Sequence, residues 1–194
     1  TINPVNDTPS FSTISTQNLL EDQTDTLNVA IFDIENITDD QPLSFELVNY
    51  NNTLFDLSYV STNNSIRISI EPVQDQYGDG LFSLVVTDLL GAETSQNIEV
   101  SIDPVNDSPT FSITTIHTVQ EDSGYHSVNN WAQSIATGPS NESSQAISQF
   151  QLSLNQDDYY LFDVLPSIST TGTLEYTLAA NQNGSANIYV RAQD

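Results

Sequence analysis

Apolar residues recur at every second position over most of the chain. Leu27-Val29-Ile31, Ile66-Ile68-Ile70, Phe82-Leu84-Val86 and Ile98-Val100-Ile102 alternate with polar neighbours in the first half. Phe150-Leu152-Leu154, Leu174-Tyr176 and Ile188-Val190 do so in the second. A period of two is that of a strand with one face in a core and one in water. Asn, Gly and Asp punctuate these runs at Thr62-Asn63-Asn64, Tyr77-Gly78-Asp79-Gly80, Leu90-Gly91, Thr171-Gly172 and Asn183-Gly184, where turns are expected. No segment carries an apolar stripe of helical period. The pattern predicts an all-β chain, with about seven short strands per 100 residues, as in an immunoglobulin-like sandwich.

The same frame occurs twice. Residues 2–12 read INPVNDTPSFS and residues 102–112 read IDPVNDSPTFS. Glu21-Asp22 returns as Glu121-Asp122 at the same spacing of 100, and Gly78, Phe82 and Asp88 return as Gly184, Ile188 and Asp194 at a spacing of 106. Such ordered recurrence predicts two tandem copies of one domain. We expect a first repeat over 1–103, with 1–9 as an upstream linker, and a second over 104–194. After Asp88 the first copy continues into a last strand near Glu93–Ile102. The second copy stops at Asp194, so it is expected to lack that strand, to expose a sheet edge and to be C-terminally truncated. A start at Thr1 without Met is expected of an internal piece of something longer.

Charge narrows the functional classes. Among 194 residues there are 26 Asp and Glu against two basic residues, Arg67 and Arg191, for a net charge of −24. Such a surface repels phosphate backbones and anionic lipid, so neither nucleic acid nor membrane insertion is expected. Bound divalent cations would relieve the self-repulsion. The acids are dispersed among Asn, Ser and Thr rather than run together as in a disordered acidic tail. There is no Cys, hence no disulfide or thiolate site.

The link Asp103-Pro-Val-Asn106-Asp107-Ser-Pro109 concentrates the candidate chemistry. Its two prolines stiffen it, and Asp103, Asn106 and Asp107 set hard oxygen donors between two domains. Calcium takes about 6–8 oxygens at roughly 2.3–2.6 Å, more than the link supplies, so the flanking domains must add the rest.

This segment resembles the D-x-N-D-N-x-P-x-F linker of cadherins. Asp103 and Pro109-x-Phe111 match it, and Asn106-Asp107 stand in reversed order. It is similar also to the PVND-x-P repeats of bacterial cadherin-like adhesins, which share the early Glu-Asp pair and a late Asn-Gly stretch ending in Asp. The resemblance implies metal ligands. Asp33 and Glu35 match the family's paired D-x-D and Asp88 its late Asp, facing an upstream link that carries Asn6 and Asp7. At the internal junction it implies Glu21 meeting Asp103 and Asp107, with Asp194 and Glu142 from the second repeat. There Ala136–Glu142 replaces a clean D-x-D. Glu121 and Asp122 would serve a further junction downstream.

The expectation is therefore a calcium-binding structural or adhesive repeat of a large secreted bacterial surface protein, monomeric, with Ca2+ stiffening the array of neighbouring repeats. Two other readings stand beside it. One is a carbohydrate- or protein-binding module that uses loops of the second domain, with Trp131, Tyr125, Tyr159 and Tyr160 as an aromatic platform. The other is a calcium-independent acidic spacer. His117 and His126 are the only histidines, and no enzymatic activity is expected from them.

Overall fold

The structure is a computed structural model; it describes residues 5–33, 42–62, 64–113 and 117–194. Nearly every described element is a strand. The chain folds as two compact units, Thr1–Val105 and Asn106–Asp194, each a β-sandwich of immunoglobulin- and cadherin-like type.

In the first unit β1 (Ser10–Phe11), β3 (Asp25–Phe32), β6 (Ser65–Pro72) and β5 (Phe55–Thr62) form one antiparallel sheet in the order β1-β3-β6-β5. The facing sheet has the order β2-β8-β7-β4, from β2 (Gln17–Leu20), β8 (Glu93–Asp103), β7 (Gly78–Thr87) and β4 (Ser44–Val48). The chain's first extended stretch is split between the sheets. β1 runs antiparallel to β3, whereas β2 crosses over and runs parallel to β8. The alternation read in the sequence is the alternation of burial. Ile66, Ile68 and Ile70 from one sheet meet Phe82, Leu84, Val86, Ile98, Val100 and Ile102 from the other, and all are essentially inaccessible to water. Each such side chain contributes about 1.5–3 kcal/mol of burial. Phe55 sits edge-on to Phe82, ring centroids 6.4 Å apart. Gly80 makes this possible, because a Cβ there would lie 2.8 Å from Phe55 Cε1 and 3.0 Å from Leu54 Cδ2.

The second unit repeats most of this plan. β10 (Tyr125–Val128), β14 (Leu174–Leu178) and β13 (Phe162–Ile168) form one sheet, β12 (Gln149–Leu154) pairs with β15 (Ile188–Gln193), and β9 (Thr110–Ile113) pairs with β11 (Ala132–Ala136). The unbroken β3 of the first unit has two counterparts here. Asn130, at φ 54°, opens a turn that divides the strand into β10 and β11. This insertion, with the segment up to β12 that includes a 3-10 turn at Ser140–Glu142, accounts for the growth in repeat spacing. Ser10 to Thr110 is 100 residues, Phe45 to Phe150 is 105, and Phe82 to Ile188 is 106. A second 3-10 turn, Gln156–Leu161, is capped by Asn155, whose side chain accepts the Asp157 N–H. Asn51 makes the same kind of cap in the first unit, its Oδ1 accepting from Thr53 N at 3.1 Å. Trp131, Phe150, Ile168, Leu174 and Tyr176 form the core, with Phe111 edge-on to Phe150 at 5.2 Å. β2 and β8 have no counterpart strand among the described residues of this unit.

Candidate functional site: acidic ends of the two sandwiches

At the end of the first unit that leads into the link, the parallel β2–β8 pairing sets Leu20 beside Asp103. The chain turns there through Asp22, at φ 62°. The Glu21 N–H donates to the Asp103 carbonyl (2.9 Å) and Glu21 Oε1 accepts from the Val105 N–H (2.7 Å). The link therefore folds over the Glu21 side chain, which is only 1% exposed. Asp22 ties in the loop before β7, its Oδ1 accepting from Asp75 N at 3.1 Å, and Ser101 Oγ donates to Asp79 Oδ1 at 2.7 Å. Glu21, Asp22, Asp75, Asp79 and Asp103 thus stand along one end of the sandwich. Arg67, by contrast, belongs to the middle of β6, opposite Asn28 and Val60.

At the other end of the same unit Asn6 Nδ2 donates to Asp88 Oδ2 (2.7 Å). Asp88 Oδ1 accepts from Leu90 N (2.9 Å) and Ala92 N (2.8 Å). Partial desolvation pushes the Asp88 carboxyl up, but the donors of Asn6, Ala92, Leu90 and Gly91 outweigh it and hold the group below its ordinary value of 3.8. Asp33 closes β3 and is 5% exposed. Asp7 is exposed, and Glu35 lies outside the described residues.

In the second unit Glu142, from the 3-10 turn, is 6% exposed. Its Oε1 accepts from the Asp107 N–H (3.0 Å) and from Gln145 Nε2 (3.3 Å). Its Oε2 is shielded from water without a hydrogen-bond donor. The carboxylate lies over Gly138, in the space a Cβ would need, with Asp107 Cβ beside it. Asp194 Oδ2, at the end of β15, is likewise a shielded acceptor with no donor. Asn106 is exposed and donates to the Asp107 carbonyl at 3.2 Å, unlike its counterpart Asn6.

Six of the expected ligands therefore meet in three local pairs. The Glu21 N–H bonds the Asp103 carbonyl, the Asp107 N–H bonds the Glu142 carboxylate, and the Asn6 side chain bonds Asp88. Two features lie beyond the sequence reading. Glu142 is held by the link itself, and its only signal was a lone acid where the first repeat has Asp33-Ile-Glu35. Asp22 and Asp122 are turn anchors: Asp122, at φ 64°, accepts from Asn181 N (2.6 Å), just as Asp22 accepts from Asp75 N. Glu121 is exposed where Glu21 is buried. Trp131, which the alternative binding-module reading would place on an aromatic platform, is 8% exposed and belongs to the core. Tyr125, Tyr159 and Tyr160 are exposed. The two histidines meet on Tyr176, with His126 stacked on its ring at 5.0 Å and His117 edge-on at 5.9 Å.

No family model matches the chain, and no curated protein matches it by sequence. Solved structures do resemble it in fold. Domains 4 and 5 of the S-layer protein SbsC are 11% identical with a TM-score of 0.37, over 52% of this chain and 54% of that one. The human desmocollin-1 ectodomain is 14% identical with a TM-score of 0.36, over 97% and 35%. The N-terminal Ig1-2 module of the Drosophila receptor protein tyrosine phosphatase DLAR is 12% identical with a TM-score of 0.39, over 97% and 92%. The chain thus spans about half of the first structure and about a third of the second. At such identities the likeness is one of fold alone.

Proposed function

We propose that this chain is a pair of calcium-binding structural repeats from a larger extracellular surface protein, of the cadherin-like PVND-x-P type, in which Ca2+ bound at the links stiffens the array. The observation that carries this reading is the burial of three carboxylates, Glu21, Asp33 and Glu142, at 1%, 5% and 6% exposure, in a chain with two Arg and no Lys. A buried carboxylate is costly unless a cation or several donors compensate it. An ion from solution would add to the donors that Val105, Asp107 and Gln145 already supply to Glu21 and Glu142.

The donors suit calcium, being carboxylate and amide oxygens with neither Cys nor His among them. Glu21, Asp103, Asn106, Asp107 and Asp194, with Glu142, would hold ions at the internal link. Asn6, Asp7, Asp33, Glu35 and Asp88 would hold them at the upstream one. Glu142 Oε2 and Asp194 Oδ2 support this, as shielded acceptors that an ion would satisfy. Extracellular sites of this kind bind at roughly 10⁻⁴–10⁻³ M, so they fill outside cells and empty in cytosol. Bound calcium neutralises the acidic ends and restricts the link. The repeats then serve as a spacer arm, with neighbouring repeats of the same chain as partners.

The test is calorimetric titration together with small-angle scattering, in calcium, in magnesium and in chelator. Heat with calcium but not with equimolar magnesium, together with an elongated particle whose shape distribution broadens on chelation, is the expected result. Identical scattering and no heat would reduce the chain to a calcium-independent acidic spacer.

A further inference from the structure

We infer that copies of this chain associate side by side through two charge-matched sheet faces. One is the outer face of β3, β6 and β5 in the first unit, which carries Arg67. The other is the outer face of β10, β14 and β13 in the second unit of another copy, which carries Glu175. The two residues occupy the same place in the repeat. Ser61-Thr62 and Ile66-Arg67-Ile68 recur as Ser169-Thr170 and Leu174-Glu175-Tyr176, each 108 residues on. Ile66, Ile68, Leu174 and Tyr176 are buried, so strand alternation turns Arg67 and Glu175 outward, and both are exposed. One position of the fold thus carries a base in the first repeat and an acid in the second.

Around Arg67 the face is free of carboxylates. Arg67 stands between Asn28 on β3 and Val60 on β5. The row on one side joins Ala30, Ser65 and Thr62, and the row on the other joins Thr26, Ser69 and Ser58. None of these is an acid, in a chain with 26 Asp and Glu. The first acids of β5 and β6 along this face, Asp56 and Glu71, stand opposite each other two rows from Arg67, about 13 Å away along the strand. That is too far for an ion pair. Val60 is exposed beside the guanidinium. A lone Arg on an uncharged, partly apolar sheet face has the composition of an interface centre, where Arg is enriched and other charges are depleted.

The acid on the other face is held ready. Glu175 lies between Ser127 on β10 and Ser167 on β13, and the next row joins Tyr125, Thr177 and Val164. The Tyr125 hydroxyl donates to Glu175 Oε1 at 2.8 Å, and Ser127 Oγ does so at 3.4 Å. These bonds fix the carboxylate, so little rotamer freedom is left to lose on binding. Tyr125 and Val164 are exposed and border the acid with apolar surface, as Val60 borders the base. Arg meets such a carboxylate through two parallel N–H donors. The remaining acids of two copies repel one another. At about 0.15 M ionic strength, however, charges more than roughly 8 Å apart are screened, whereas a pair in contact is screened much less. Each copy carries one face of each kind, so the contact can be made twice in a dimer or passed along a row of copies.

The test is analytical ultracentrifugation of the whole 194-residue chain, from micromolar to millimolar concentration at about 0.15 M ionic strength, with calcium and with chelator. Neither residue is among the proposed calcium ligands, so the outcome is independent of that reading. Concentration-dependent association is expected in at least one medium. Arg67→Glu and Glu175→Arg should each weaken it at least about tenfold, because each sets like charges together. The double variant should return association to within a few-fold of the wild type, a recovery that misfolded single variants would not give. A chain that stays monomeric up to millimolar concentration in both media overturns the proposal. So does association that either single reversal leaves unchanged, or that the double variant fails to recover.

Discussion

Glu21→Gln separates metal binding from architecture. The amide retains an oxygen for the Val105 N–H, now accepted at 2.7 Å, but loses the charge. In chelator two effects oppose each other. A charged acceptor bond contributes about 1.5–3 kcal/mol against roughly 0.5–1.5 for a neutral one, while removing a carboxylate that is 1% exposed among Asp22, Asp75, Asp79 and Asp103 relieves burial and repulsion. They offset to within about 1 kcal/mol, so the metal-free melting point moves by a few degrees only. Calcium changes the comparison. At 100 times its dissociation constant an ion adds about 2.7 kcal/mol, which for a unit of this size is a rise of roughly 10–20 °C. A tenfold weaker site at the same calcium concentration adds about 1.4 kcal/mol, so the variant should show about half that rise. Differential scanning calorimetry with and without millimolar calcium reads both quantities. If Glu21→Gln and the wild type gain equally from calcium, Glu21 is no ligand and its burial is purely structural.

Two further predictions concern the first unit. The Asp88 carboxyl titrates below 3.8, so it contributes stability that is present above the unfolded value and is lost as pH falls through the lower folded value. Asn6→Ala removes one donor, and carbon-detected NMR titration should show the Asp88 midpoint rise toward 3.8 with a smaller acid-side loss of stability. Gly80→Ala sets a Cβ 2.8 Å from the ring of the fully buried Phe55, and such overpacking should cost about 1–3 kcal/mol. A chemical denaturation midpoint that does not fall would show that the Phe55 ring has room to move.

Much of the architecture was legible because it is periodic. Ile66-Ile68-Ile70 and Phe82-Leu84-Val86 alternate in the sequence and lie on the inner faces of two sheets, since a strand has only two sides. The repeat spacing marked β15 as a second copy of β7. The chemistry of individual side chains was less legible. Trp131 in the sequence fits either a surface platform or a sandwich core, and only its packing with Phe150 and Leu174 decides for the core. Asp22 and Asp122 read only as the second member of a repeated Glu-Asp pair, and the structure adds that each accepts a backbone N–H from a loop 53 or 59 residues away.

Taken alone, the sequence determined the all-β class, the duplication and the strand alternation, because these follow from local periodicity and from self-comparison. Only the tertiary structure decided which acids are buried. Glu21 is covered because β2 lies parallel to β8, whose link returns 84 residues later to place the Val105 N–H on its carboxylate. Glu142 is covered because Gly138 leaves it room and Asp107 donates to it across 35 residues. Burial of a charge depends on what distant segments bring to it, and no pattern of neighbouring residues contains that.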